Sequence, residues 1–141
     1  MAESTSMQVE VVSPERMLFS GQATQVITRT LGGGEIAFLP GHAPFLAALI
    51  PNHTRVYLAG GSILDVAVHG GFVEVSNNKV SILTDFAELG SEIDKGAAQA
   101  DVERLEEQLR HAHDALGAAE LSKAHARLAA AGGVGGTGVK L

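Results

Sequence analysis

Up to about residue 90, apolar and polar positions alternate in short runs, cut at close intervals by glycine, proline and asparagine. The cuts fall at Ser13-Pro14, Ser20-Gly21, Gly32-Gly33-Gly34, Pro40-Gly41, Pro51-Asn52, Gly60-Gly61, Gly70-Gly71 and Asn77-Asn78. Between them lie β-branched runs such as Val9-Glu10-Val11-Val12 and Gln25-Val26-Ile27-Thr28, which suit a pleated, half-buried surface. Paired Gly-Gly or Asn-Asn connections predict antiparallel hairpins. Eight or more such strands without helices predict a β-sandwich or flattened barrel over residues 1–88. Alternation assigns the faces: Leu64, Val66 and Val68 point one way and Asp65 and His69 the other, while Val80, Ile82 and Thr84 oppose Lys79, Ser81 and Leu83. Phe45–Ile50 lacks polar alternation and is expected to be buried on both sides.

The period changes after Ile93. Ala98, Val102, Leu105, Leu109, Ala112 and Leu116 follow one another at spacings of 4, 3, 4, 3 and 4, which places them on one helical stripe. Asp114 and Gly117 mark the expected turn, and Leu121, Ala124, Leu128 and Ala131 form a second stripe. Two short helices that bury only alanine and leucine are marginal alone, so residues 91–131 are expected to pack as an antiparallel hairpin. Half of the residues from 132 to 141 are glycine, which reads as a disordered tail. The expected fold is thus mainly β, an antiparallel sandwich followed by a helical appendage.

Composition narrows the function classes. Ten basic against sixteen acidic residues give a formal charge of -6, and no basic stretch offers the several phosphate contacts that nucleic-acid binding needs. The absence of cysteine removes disulfide and thiolate chemistry. The longest apolar run, Phe45–Ile50, is far below the ~20 residues of a membrane span. Met1–Ser6 has neither an apolar core nor arginines, so no secretory or transit signal is expected.

A search for chemistry returns little. Gly32-Gly33-Gly34 lacks the Lys-Ser/Thr of a phosphate loop and joins strands, and in the stretch Gly133–Lys140 the lysine falls one place late. His111 and His113 stand two apart, where a zinc helix uses i,i+4; with His125 they read as solvated helix residues, and no metal site is expected. No Gly-x-Ser-x-Gly elbow occurs, so no catalytic residue is assigned. Glu35 and His42 stand out because Pro40 and Pro44 fix φ on both sides of the histidine's turn. A stiff loop bearing polar groups suits docking, since less entropy is lost on binding. Gly70-Gly71 allow positive φ, and Phe72 or Val73 supplies core.

Two segments, Gly34-Glu-Ile-Ala-Phe-Leu-Pro-Gly-His-Ala-Pro-Phe45 and Val68-His-Gly-Gly-Phe-Val-Glu-Val75, are followed by Ser91-Glu-Ile-Asp94 and the helical pattern. In that order they closely resemble the epsilon subunit of rotary F-type ATP synthases, over roughly residues 7–131. The resemblance implies a non-catalytic rotor subunit of the bacterial central stalk, held at the cytoplasmic face of the plasma membrane only through its complex. It implies that Glu35 and His42 face the ring of c subunits, that Gly70, Gly71 and Phe72 lie toward gamma, and that the hairpin reaches alpha and beta to hinder ATP hydrolysis. His69 stands where many relatives have a small or acidic residue. The resemblance also implies ATP as a weak regulatory ligand of Glu88, Ile93 and Asp94; Ala97 occupies the place of that motif's arginine. Read from the residues, Asp94 is a helix N-cap. No cofactor is otherwise expected. The alternative is a regulatory β-sandwich that binds a small ligand and dimerises through its helices.

Overall fold

The computed structural model describes residues 5–111 and 115–133. Seven strands precede two helices: β1 (Met7–Val12), β2 (Met17–Thr30), β3 (Gly34–Phe38), β4 (Phe45–Leu58), β5 (Ile63–Ser76), β6 (Lys79–Leu83), β7 (Ala87–Leu89), α1 (Lys95–His111) and α2 (Ala115–Gly132), with a 3-10 turn at Gly90–Glu92. The strands pair in the order β1-β6-β5-β4-β2-β3, β1 also pairs with β2, and β7 adds to β5. The β1–β2 ladder therefore closes a five-stranded ring into a flattened barrel. Every ladder is antiparallel except β1–β6, which is parallel.

The strand count corrects the expectation of eight or more. Ser20-Gly21, Pro51-Asn52 and Gly70-Gly71 do not turn the chain; they lie inside β2, β4 and β5, each 14 residues long. What changes there is the buried face. In β5 the inward residues are Leu64, Val66 and Val68 before the glycines and Val73 and Val75 after them, a shift of one place. In β4 the same shift separates Phe45, Ala47 and Leu49 from Asn52, Thr54 and Val56. The two shifts face each other, since Leu49 pairs with Gly71 and Pro51 with His69. The strands thus turn a corner together and pass from one layer of the sandwich to the other. Gly70 and Gly71 have φ of 109° and 112°, which only glycine adopts readily. A Cβ on Gly71 would also sit 2.1 Å from the carbonyl oxygen of Leu83. The pairs Gly60-Gly61 and Asn77-Asn78 do reverse the chain, the asparagines at φ 52° and 59°, as a tight hairpin requires.

The main core is valine-rich, with Val9, Val11, Val26, Val56, Val66, Val68, Val73 and Val80 fully enclosed around Phe38 and Ile82. At one end it turns polar. The Thr28 and Thr54 hydroxyls are 2.8 Å apart and both donate to Asn52 Oδ1, whose amide donates to the Ile50 carbonyl, so the buried polar atoms are satisfied. Phe45–Ile50 is not buried on both sides as expected: Leu46 is 68% exposed, because among the described residues nothing covers the outer face of this half of β4.

The helices pack antiparallel on the outer face of the other half. Val102 and Leu105 meet Ala124, Leu121 and Leu128, and Ala98, Ala130 and Ile93 meet Ala67 of β5. The first stripe ends early: Leu116 belongs to α2 and is exposed, and Gly117 lies within α2 rather than at a turn. Ala112, His113, Asp114 and residues 134–141, with the expected turn and most of the expected tail, lie outside the described residues. The second stripe traced the face toward α1 but missed Ala126 and Ala130, which are buried as well. One helix meeting two neighbours has two apolar faces, and a single stripe finds only one.

Candidate functional site

Glu35 and His42 occupy opposite ends of β3. Glu35, at its start, accepts a hydrogen bond from Arg55 Nη2 at 2.6 Å and lies 3.9 Å from Arg29, with its side chain 48% exposed. Arg29 is its cross-strand partner on β2, so the carboxylate is framed by two guanidiniums that the sequence reading did not name. His42 follows β3 in the Pro40–Pro44 loop. Its ring lies edge-on to Phe38 at 4.9 Å, and Nδ1 is 2.6 Å from the Ala43 carbonyl. The loop is braced across the molecule, since Gly41 N–H donates to Asn78 Oδ1 and the Asn78 amide donates to the Ser6 carbonyl. The stiffness inferred from two prolines thus has a second cause, an anchor on the β5–β6 turn.

Gly70 and Gly71 build the corner of β5, and Phe72 comes out on the open face beyond it. Phe72 pairs with Ala48 on one side and Leu83 on the other, and paired residues share a face. With Leu46 one step along β4, this gives a row in which Leu46 is 68%, Phe72 54% and Leu83 48% exposed. Phe72 is therefore surface rather than core, and Val73 is the one that enters the core. Leu83 carried the signal, since alternation had already placed it with Ser81 and Lys79 on the face opposite Val80 and Ile82.

Glu88, Ile93 and Asp94 do not converge on one cavity. Asp94 Oδ1 accepts the Ala97 N–H at 3.0 Å, the N-cap geometry. The Ile93 side chain is buried against Ala67, Ala98 and Ala130. Glu88 accepts from Arg127 Nε at 2.7 Å and Nη2 at 3.4 Å, while Arg127 Nη1 reaches Asp101 at 3.4 Å. This bridge joins β7 to both helices across 39 residues of sequence. Beneath it His69, 12% exposed, lies edge-on to Phe86 at 5.0 Å. Its Nε2 is 3.6 Å from Glu88, too far for a hydrogen bond, and has no hydrogen-bond partner among the described residues. Burial holds the imidazole pKa below its ordinary 6.5; Glu88 opposes that shift, and Lys123 and Arg127 add to it. A cleft of about 400 Å³ opens here, with Arg104, Lys123 and Arg127 balanced by Asp85, Asp101 and Glu120.

Residues 6–90 match the family described as ATP synthase, Delta/Epsilon chain, beta-sandwich domain. The ATP synthase epsilon chain of Thermobifida fusca is 41% identical over 138 residues, covering 93% of this chain and 96% of that one. The epsilon chain of Mycolicibacterium vanbaalenii is 47% identical over 103 residues, covering 72% and 84%. Among solved structures, a chain of the Euglena gracilis mitochondrial ATP synthase, OSCP/F1/c-ring in rotational state 1, superposes with a TM-score of 0.76 at 21% identity, over 89% of this chain and 81% of that one. A chain of the Tetrahymena thermophila mitochondrial ATP synthase central stalk and c ring gives 0.54 at 19%, over 90% and 96%. At those identities the structures speak for the fold, while the epsilon chains and the sandwich domain carry the assignment: the protein belongs to the epsilon-chain family of ATP synthase, a subunit of that enzyme complex and not its catalytic one.

Proposed function

We propose that this chain works as a rotor subunit of the central stalk, coupling the turning of the c ring to gamma, with no bond made or broken by its own residues. The observation that carries the reading is the exposed row of Leu46, Phe72 and Leu83 on a face whose backbone is fixed by the Gly70–Gly71 corner. Burying what remains exposed of these three side chains favours association by about 1–2 kcal/mol each before the costs of association. That row is the face for gamma. The braced loop of His42, with Glu35 at the far end of β3, is the side for the c ring. The complex, not a span of this chain, holds it at the cytoplasmic face of the bacterial membrane; no described helix is long and apolar enough to cross.

The hairpin is the regulatory part, leaving the sandwich to reach alpha and beta and hinder hydrolysis. ATP is at most a weak ligand of it: Asp94 is engaged as a cap, Ile93 is buried, and Arg127 is already neutralised by Glu88 and Asp101. The dimerising alternative has less behind it, because the buried faces of α1 and α2 are taken up by each other and by β5. The test is a pull-down with the cognate gamma subunit. Phe72→Asp, on an exposed site, is expected to fold and to lose at least tenfold in gamma affinity. A folded Phe72→Asp chain that binds gamma as the parent does would overturn the assignment of this face.

A further inference from the structure

We propose that the fastening of the hairpin to the sandwich is acid-labile, with His69 as the side chain that takes up the proton. The proposal concerns the docked hairpin itself and stands whether or not the hairpin restrains hydrolysis.

The fastening has a small apolar part and a polar part. The apolar part is Ala67 and Ile93 against Ala98 and Ala130. The polar part is Arg127, which ties α2 to Glu88 of β7 and to Asp101 of α1. His69 lies directly under this bridge. From its own side of the interface Asp85 and Glu88 face it, from α1 Asp101 and Arg104, and from α2 Glu120, Lys123 and Arg127. Glu88 is the nearest anion, but it is committed to Arg127 at 2.7 Å. The Nε2–H of an imidazolium formed here finds no hydrogen-bond acceptor among the described residues in the docked geometry, since Nε2 lies 3.6 Å from Glu88. The imidazolium would also sit, largely withdrawn from water, beside two cations of α2.

Docked, His69 therefore resists protonation. Burial is the first cause; Glu88 opposes it, Lys123 and Arg127 reinforce it, and Glu120 again opposes it. Lifting α2 away opens the ring to water and removes Lys123, Arg127 and Glu120, so the pKa returns toward about 6.5. The undocked state thus binds the proton more tightly. Docking is at full strength above the undocked pKa and weakens as pH falls below it, by at most about tenfold per pH unit for one proton. It levels off below the docked pKa. His53, the other partly buried histidine near the hairpin, is bonded to Asp65 of the sandwich at 2.6 Å, a pair that does not span to α2.

The experiment is backbone hydrogen exchange on the full chain between pH 7.5 and 5.5, a range in which ordinary carboxylates stay ionised. Rates are divided by the intrinsic exchange rate at each pH. Protection of α2 is expected to fall between pH 6.5 and 5.5, by no more than about tenfold, while β1 and β6 hold theirs. His69→Gln is expected to abolish that fall. Unchanged protection of α2 in the parent chain, or the same fall in His69→Gln, overturns the proposal. Should His69→Gln fail to fold, an NMR titration of the His69 ring in the parent chain decides: a midpoint below about 6.5 supports the proposal, and one at or above it refutes it.

Discussion

The sandwich and the hairpin are held by different means. In the sandwich, Val9, Val26, Val66, Val73 and Val80 are wholly out of water and each strand is laddered to its neighbours. The hairpin rests on β4 and β5 through alanines, Leu128 and one isoleucine, with an arginine bridge beside them. Each buried alanine contributes little, since apolar stabilisation scales with area, and a partly exposed ion pair is screened. The lesson is about range. The sandwich has committed its core to one arrangement, whereas the hairpin is held by a smaller apolar contact and an ion bridge.

The largest effect is expected at the corner. Gly71→Ala puts a methyl group where the Leu83 carbonyl lies and demands a φ of 112° from an L-residue. It is expected to destabilise the sandwich by about 3 kcal/mol or more, read from urea unfolding. A loss below about 1 kcal/mol would mean that the two layers can slide past this point, and the rigidity claimed for the sandwich would fail. Asp94→Ala comes next, at about 1 kcal/mol from the lost cap, seen as faster exchange in the first turn of α1. The same change spread into β1 or β6 would show that hairpin and sandwich unfold as one unit. The smallest signal is the ligand. ATP is expected to bind the unmodified chain with a Kd in the high-micromolar range or weaker. Ala97→Arg is expected to tighten this by about tenfold or more, the worth of one charge-assisted hydrogen bond. Low-micromolar binding by the parent chain, measured by calorimetric titration, would make the hairpin a nucleotide-held element.

Where the sequence could be read, the interactions were local. Alternation over Leu64–Val68 and Val80–Thr84 named the right faces, and Asp94 was legible as a cap because its partner is three residues away. Gly70-Gly71 was misread as a hairpin turn because glycine pairs announce positive φ, which a turn and a strand corner both need. Only the pairing of Leu49 with Gly71 separates the two cases, and pairing is not written locally. The Glu88–Arg127 bridge and the pairing of Glu35 with Arg55 were out of reach for the same reason. Their partners lie 39 and 20 residues apart and on different elements.

The parallel ladder between β1 and β6 has a consequence for how the molecule is made. Residues 8–12 find their partners at 79–83, so the first strand to be synthesised stays open along one edge until nearly the whole sandwich exists. The barrel closes late, over one long loop, and such non-local closure is slow compared with forming hairpins. The exposed row that includes Phe72 and the seat of the hairpin both use β5, which lies next to β6, the strand on which the barrel closes. A nascent chain therefore presents neither face in finished form until β1 has been enclosed by β6.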